Sequence, residues 1–338
     1  MTRRLLLAAL LASMSPAWSQ EGALVIRATT DEAEAAELLT GFRTLYPGIS
    51  LSYTKINSSH LYDEFVAEAS AGQGTADIIW NAAMDLQIKL VNDGYADRYV
   101  SPEASALPSW AVWRNEAYGI TAEPVAIAYN KKLLPQASVP RTHADMVRLL
   151  TGEPDLWKGK VATYDPERSG VGFLFLTQDL QTTPSTWDIV RAMGQVGVKL
   201  YTTTDTMLDR VASGDALLAY GVFGAYALER AKQDETLGVV LPADYTLLTS
   251  RIAFIPKQAR HPAAARLFMN YMLSREGQRR LAARSVTPAR EDSRHSDDPV
   301  AHASFLRPIQ VGPELLTYLD QIKRARVLRQ WRRTIEGH

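Results

Sequence analysis

Three short polar segments follow predicted strands and open predicted helices, and each has the composition of an anion-binding turn. They are Thr29-Thr30, Asn81-Ala82-Ala83 and Arg168-Ser169-Gly170. The first turn of a helix leaves backbone N–H groups without intrahelical partners and carries partial positive charge, so it attracts phosphate, sulfate or carboxylate. In the third segment Arg168 adds a bidentate donor, and Gly170 lets a ligand approach the backbone. We therefore predict an anion site built from these turns. The alternatives are that Thr29 and Asn81 only cap their helices and that Arg168 is a solvated surface charge.

Three isolated residues are further candidates for the same site. Glu123, just before Pro124, would pair with an amine or cation on the ligand or would fix a hinge. Tyr220 ends a predicted strand, where a tyrosine either contacts a ligand or belongs to the core. Arg251 would balance the charge of an anion or pair with an acidic neighbour. The residue types alone leave these alternatives open.

Motifs of catalysis and metal binding are lacking in this sequence. There is no G-x-S-x-G nucleophile turn, no H-E-x-x-H pair and no phosphate loop with its lysine. The six histidines are scattered, and no two stand at the spacing of metal ligands. We therefore predict no catalytic residues, no metal, no cofactor and no enzymatic activity.

Alternating strands and helices must position the candidate residues. The first block has predicted strands at 23–28, 49–54 and 77–80, with helices between them at 29–46 and about 60–71. Thr29 and Glu32 have the spacing of a capping box for the first helix. A second block repeats the pattern with strands 161–164 and 217–220 and helices 172–180 and 226–231. This alternation predicts an α/β protein, and strands 125–129 and 250–255 are predicted to cross between two lobes.

The amino terminus has the layout of a secretory signal peptide. Arg3 and Arg4 precede the apolar run Leu5–Leu11, and small residues follow at Ser15–Ser19. The apolar run is too short to span a bilayer. We predict a signal peptide at 1–19, with cleavage after Ser19, and a periplasmic location.

Composition narrows the possible functions. The chain has 338 residues, 37 basic and 37 acidic side chains, and no cysteine. A balanced charge argues against nucleic-acid binding, and the absence of cysteine excludes disulfides and a lipid-anchored amino terminus. The length favours two lobes around separate cores. We predict a first lobe at 20–124 plus 250–290, a second lobe at 125–249 and a carboxyl-terminal helical tail at 291–338, in a monomer.

Several segments together resemble the periplasmic solute-binding proteins of ABC importers, in the group named for ferric iron. They include Thr75–Trp80, Tyr118–Asn130, Asp165–Gly170 and the helical stretch His261–Gln278. The resemblance implies the type II periplasmic-binding-protein fold, with two mixed sheets flanked by helices and hinge strands between them. It also implies an anion-holding turn at Ser169 and Gly170, and a membrane permease as partner.

One departure bears on the ligand. Ferric-binding members carry two adjacent tyrosines after a strand of the second lobe, whereas this chain has Tyr220 and Tyr226 separated by five residues. The sequence is closer to relatives that bind phosphorylated compounds, phosphonates or carboxylates. We therefore expect capture of a small anion by hinge closure. The alternatives are an Fe³⁺ carrier that uses Tyr220, Tyr226 and Glu123, a sensing partner of a membrane kinase, and, least favoured, a secreted hydrolase.

Overall fold

The computed structural model describes residues 22–283, 286–294, 298, 300 and 303–337. The predicted signal peptide at 1–19 lies outside the described residues. None of the helices in the described part of the chain has both the length and the apolar character that a membrane span requires.

The first sheet is mixed. Its strands, in spatial order, are β2 (Ile49–Lys55), β1 (Gly22–Ala28), β3 (Ile78–Asn81), β12 (Ile252–Phe254), β5 (Ala117–Gly119) and β4 (Val112–Trp113). Strands β1, β2 and β3 are parallel to one another, and β12 joins them antiparallel. The helices of this lobe are α1 (Glu32–Leu45), α2 (Ser58–Ser70), α3 (Met84–Asn92), α10 (Pro262–Leu273) and α11 (Arg275–Ala282).

The second sheet is mixed as well. Its strands run in the order β13 (Leu306–Pro308), β11 (Thr246–Thr249), β6 (Glu123–Asn130), β9 (Leu218–Phe223), β7 (Val161–Tyr164) and β8 (Lys199–Tyr201), and β10 (Leu237–Val240) also pairs with β6. The helices of this part are α4 (His143–Gly152), α5 (Pro154–Trp157), α6 (Gly170–Thr182), α7 (Thr186–Gln195), α8 (Thr204–Ser213), α9 (Gly224–Gln233) and α12 (Gln321–Glu336). Short 3₁₀ helices cover Ala104–Ala106, Ser109–Ala111, Gln136–Ser138, Glu291–Ser293 and Pro313–Leu316.

Hydrophobic alternation explains why each sheet is covered on both faces. In β6, Ile127 and Tyr129 belong to one apolar cluster, while Ala126 and Ala128 belong to another on the opposite face. Successive side chains of a strand point to opposite faces, so a sheet between two helical layers needs apolar residues at both. The two-sheet α/β architecture confirms the predicted fold class.

The chain passes between the sheets in connecting segments. It leaves the first sheet after β5 and enters the second at β6, and it returns between β11 and β12. The predicted crossing strands 125–129 and 250–255 were therefore misplaced. Among the described residues, β6 pairs with strands of the second sheet and β12 pairs with strands of the first, so each belongs to one sheet.

The carboxyl-terminal segment is only partly helical. Strand β13 pairs with β11 in the second sheet, Val311 then donates its backbone N–H to the carbonyl of Trp110 near the first sheet, and α12 packs on α7. The predicted helical tail was therefore incomplete: the chain adds a strand and contacts both lobes before the last helix. At the start of this segment Glu291–Ser293 form a 3₁₀ turn, and residues 295–297 lie outside the described residues.

Candidate functional site

A cleft of about 680 Å³ lies between the two sheets, part of it continuous with solvent. Both lobes and the connection between them contribute to its walls. The lining residues are Thr29, Asp31, Lys55, Ile56, Asn57, Ser58, Ala82, Tyr164, Val171, Thr202, Thr203, Thr204, Asp205, Phe223, Tyr226 and Arg251.

The amino-terminal ends of several helices border this cleft. In the described part of the chain, lining residues lie at or within two residues of the first residue of six helices, α1, α2 and α3 from the first lobe and α6, α8 and α9 from the second. The carboxyl ends of the strands before them face the same crevice, which is where open α/β sheets bind ligands. First-turn N–H groups and the partial positive charge of each helix are therefore concentrated around one volume.

Side-chain caps hold the starts of these helices. Asn57 accepts a hydrogen bond from the N–H of Ser59 at 3.1 Å, and Ser169 accepts one from Gly172 at 3.1 Å. Thr203 accepts one from Thr206 at 3.3 Å. Each cap occupies one N–H of its first turn, so the others are left for a ligand or water.

Arg251 lies at the base of the cleft, where the chain returns to the first sheet, and is 1% exposed. Its guanidinium donates to both oxygens of Glu123, at 2.7 and 2.8 Å, and to the hydroxyl of Thr30 at 2.8 Å. The rings of Phe223 and Tyr226 lie 5.5 and 5.2 Å from its central carbon. Since Glu123 is fully buried and neutralises this charge, Arg251 adds directed N–H groups to the cleft but little net positive charge.

Contacts across the cleft indicate a closed arrangement. The hydroxyl of Tyr226, on α9 of the second lobe, donates to Asp31 on the first lobe at 3.3 Å. At the start of α6, a methyl group placed on Gly170 would lie 3.2 Å from Leu86 and 3.4 Å from Ala83 of the first lobe. The two lobes therefore approach closely beside the cleft.

Two acidic side chains near the cleft have raised pKa values. Burial raises the pKa of Glu34 to about 7, although the neighbouring guanidinium of Arg251 acts against this rise. Desolvation also raises the pKa of Asp205, and the charge of Asp31 adds to that effect. Lys55 forms an ion pair with Asp31. Because side-chain charges nearly balance here, the helix termini supply most of the attraction for an anion.

The predicted residues of the first lobe take different positions. Thr29 and Ala82 line the cleft, and the Thr29 hydroxyl accepts a hydrogen bond from the Ala82 N–H at 2.9 Å. The capping box predicted at Thr29 was wrong: α1 begins after Asp31, because Thr29 is bound to β3 instead. Thr30 is buried against Arg251. The amide of Asn81 caps its own turn, accepting from the Ala83 N–H at 2.9 Å.

The predicted residues of the second lobe are only partly brought together. Ser169 is the cap of α6 and Gly170 its first residue, whereas Arg168 is exposed and does not line the cleft. Tyr220 also lies away from the cleft: its hydroxyl donates to buried Asp179 at 2.8 Å. It borders a separate, largely apolar cavity of about 500 Å³ within the second lobe, beneath Trp331.

The residues of the iron alternative are not assembled. Glu123 is bound to Arg251, Tyr220 faces Asp179, and only Tyr226 lines the cleft. Among the described residues, no group of three His, Cys, Asp or Glu side chains could hold a metal ion. These positions do not fit a ferric ion bound by the three predicted ligands.

Sequence reasoning missed much of the second-lobe wall. Thr202, Thr203 and Asp205 follow strand β8, which has three residues, too few for a periodicity signal. The Thr203-x-x-Thr206 spacing, with an acidic residue in the first turn, was the available sign of a helix start there. Lys55 at the end of β2 and Tyr226 in α9 also line the cleft. The strand and the helix themselves were predicted, but the position of these two side chains at the cleft was not.

The sequence profile of the bacterial extracellular solute-binding proteins matches residues 37–306. The match covers more than half of the chain, so the chain belongs to this family of solute-binding proteins.

Solved structures extend the likeness over nearly the whole chain. The substrate-binding protein of an ABC transporter from Agrobacterium tumefaciens is 36% identical, with a TM-score of 0.88 over 94% of this chain and 96% of that one. AfuA from Actinobacillus pleuropneumoniae, with fructose-6-phosphate bound, is 20% identical with a TM-score of 0.75 over 94% and 99%. Iron-bound HitA from Pseudomonas aeruginosa is 19% identical with a TM-score of 0.74 over 92% and 99%, and the last two show the fold alone. A comparison with curated proteins found no match.

Proposed function

We propose that this chain is the periplasmic binding component of an ABC import system and captures a small anion by closing its two lobes. The observation that carries the proposal is the set of six helix amino termini around one cleft, three from each lobe. A ligand held by both sets of N–H groups stabilises the closed form, which is the form presented to a permease. The likeness to an ABC-transporter protein supports the transport role.

The rest of the lining restricts the ligand further. Hydroxyl groups of Thr29, Ser58 and Thr203, with the carboxylates of Asp31 and Asp205, accompany the helix termini. Asp31 already has Lys55 and the Tyr226 hydroxyl as partners, but a bare inorganic anion would leave Asp205 without one among the described residues. We therefore propose a phosphorylated, phosphonate or carboxylate compound that also carries hydroxyl or ammonium groups. The side chains proposed to contact it include Thr29, Thr203 and Tyr226, with Gly170 and Arg251 placing N–H groups, while Ser169 caps the helix that carries Gly170.

A thermal-shift screen of the purified chain without residues 1–19 tests this function. The probes are inorganic phosphate, sulfate, sugar phosphates, aminoalkyl phosphonates, di- and tricarboxylates, and Fe³⁺. A ligand at 100 times its Kd adds about 2.7 kcal/mol to the free energy of unfolding, which raises the Tm by several degrees. A rise with an organic anion supports the proposal. A rise with Fe³⁺ alone, or with none of the probes, would refute anion capture.

A further inference from the structure

The last helix, α12, carries a concentrated positive charge in a chain that is otherwise balanced. Six of the 37 basic residues lie within its 16 residues, against a single acidic one, Glu336. The helix is fixed to the second lobe through Val327 and Trp331, which are buried against α6 and α7. These two apolar side chains are therefore already covered by the protein, whereas Ile322 in the first turn of the helix is exposed.

The exposed side of α12 is formed by arginines. Arg326, Arg329 and Arg333 follow each other at spacings of three and four residues, which places them on one face opposite Val327 and Trp331. All three are exposed, and they have no ion-pair partner within the described ranges of the chain. They extend over about 10 Å of helix. We call these three residues the arginine stripe.

The other basic residues of the helix are engaged differently. Arg332 forms an ion pair with Glu167 at 2.6 Å, and the guanidinium of Arg324 lies 4.1 Å from the centre of the Phe173 ring. Nearby acids are accounted for as well: Asp320 caps the helix, and Asp188 on the packed helix α7 is paired with Arg191. None of these four contacts involves a residue of the arginine stripe.

We propose that the arginine stripe attaches the protein to a bilayer surface rich in anionic phospholipid headgroups. The three arginines lie along the exposed side of a single helix, so they fit a broad negatively charged surface rather than a single small anion. Val327 and Trp331 are buried and Ile322 is the exposed large apolar side chain of the helix, so binding is mainly electrostatic and reversible. Attachment would concentrate a solute carrier beside a membrane-embedded partner, and it does not depend on the ligand of the cleft.

Co-sedimentation with sucrose-loaded vesicles tests this attachment. Each basic residue near an anionic surface strengthens binding about fivefold, so R326Q/R329Q/R333Q should lower the partition coefficient on vesicles of equal phosphatidylglycerol and phosphatidylcholine by about a hundredfold. The matched control is R43Q/K131Q/K132Q, which removes the same charge from exposed positions elsewhere. The charge-preserving R326K/R329K/R333K should keep binding.

The outcomes separate clearly. The proposal is supported if the wild-type protein binds the mixed vesicles and 0.5 M salt abolishes this binding. The R326Q/R329Q/R333Q variant should then lose binding, while the matched control and the lysine variant keep it. Equal loss in the matched control, equal binding to pure phosphatidylcholine, no binding at all, or failure of the lysine variant would each overturn it. Circular dichroism melting of every variant shows whether the fold is intact, and ligand-induced thermal shifts test the cleft separately.

Discussion

Arg251 and Glu123 form a bidentate ion pair where the chain passes between the two sheets, with Nε–Oε1 and Nη2–Oε2 distances of 2.7 and 2.8 Å. Both side chains are almost fully buried. Glu123 begins β6 of the second sheet, and Arg251 directly precedes β12 of the first. The pair therefore links two connections between the sheets, and the remaining guanidinium nitrogen, Nη1, donates to the Thr30 hydroxyl beside the cleft.

Removal of one partner of the Arg251–Glu123 pair should lower the free energy of unfolding. Glu123→Gln removes the bidentate counter-charge of a buried guanidinium and leaves only the more distant Glu34 carboxyl, at 3.4 Å, so the free energy of unfolding should fall by about 3–5 kcal/mol. Arg266→Gln, which breaks an exposed pair with Asp97, should cost less than about 1 kcal/mol. Urea unfolding of both variants measures the difference. Similar small losses in the two variants would show that the buried pair contributes no more than a surface pair.

Gly170 should control lobe closure. A leucine side chain there would meet Ala83 and Leu86 of the first lobe only when the lobes approach. Overpacking of about 1–3 kcal/mol in the closed form would raise the Kd of the captured anion by about 5- to 150-fold. The control is Gly152→Leu, because a Cβ at Gly152 meets nothing within 4 Å. Titration calorimetry gives both Kd values, and equal affinities would mean that binding does not require this contact.

Local patterns predicted most of the regular structure near the site. The short apolar run of β1 and the helical spacing after it gave both elements within a few residues, as did the apolar run that forms α6. These elements are largely buried, so their apolar content or spacing is visible in the sequence. Strands β8 and β13 have three residues each and are held by long-range pairing, which leaves no local signal. Strand β12 is equally short but lies within the predicted strand 250–255.

Side-chain direction limited the prediction of the site. Tyr220 was expected at the cleft because it ends a strand, yet the pairing of β6 and β9 shifts register between Ala126 and Ile127. Gly221 absorbs the shift with a φ of +74°, a conformation that favours glycine. The phenol of Tyr220 is thereby placed against Asp179, and Tyr226 takes the position at the cleft. A bulge of one residue cannot be read from composition or spacing.

The two tyrosines should respond differently to loss of the hydroxyl. Tyr226→Phe removes the hydrogen bond to Asp31 across the cleft, so a net loss of about 0.5–1.5 kcal/mol would weaken anion binding about 2- to 13-fold. Tyr220→Phe removes a donor to buried Asp179 within the second lobe, which should lower the free energy of unfolding by about 1–3 kcal/mol and leave the Kd unchanged. Calorimetry and urea unfolding on both variants separate the effects. A weaker Kd in Tyr220→Phe alone would reverse the assignment.

Asp85 should make stability depend on pH. This carboxyl is 3% exposed at the start of α3, and burial raises its pKa from 3.8 to about 7. The folded form holds the proton more tightly than the unfolded form, so the contribution to stability is complete below about pH 3.8 and is lost as the pH rises through 7. Asp85→Asn keeps an acceptor for the Leu86 N–H and cannot ionise. The variant should match wild type near pH 4 and exceed it at pH 8, by up to about 4 kcal/mol.

Urea unfolding of wild type and Asp85→Asn between pH 4 and pH 8 measures this difference. Asp63→Asn, at an exposed position of α2, is the control for the substitution itself. Other groups with a raised pKa, such as Glu34, contribute equally to the pH dependence of every variant, so their contribution cancels in the difference from wild type. A difference for Asp85→Asn that is flat with pH, or one that shrinks as the pH rises, would show that Asp85 is ionised at little cost in the folded protein.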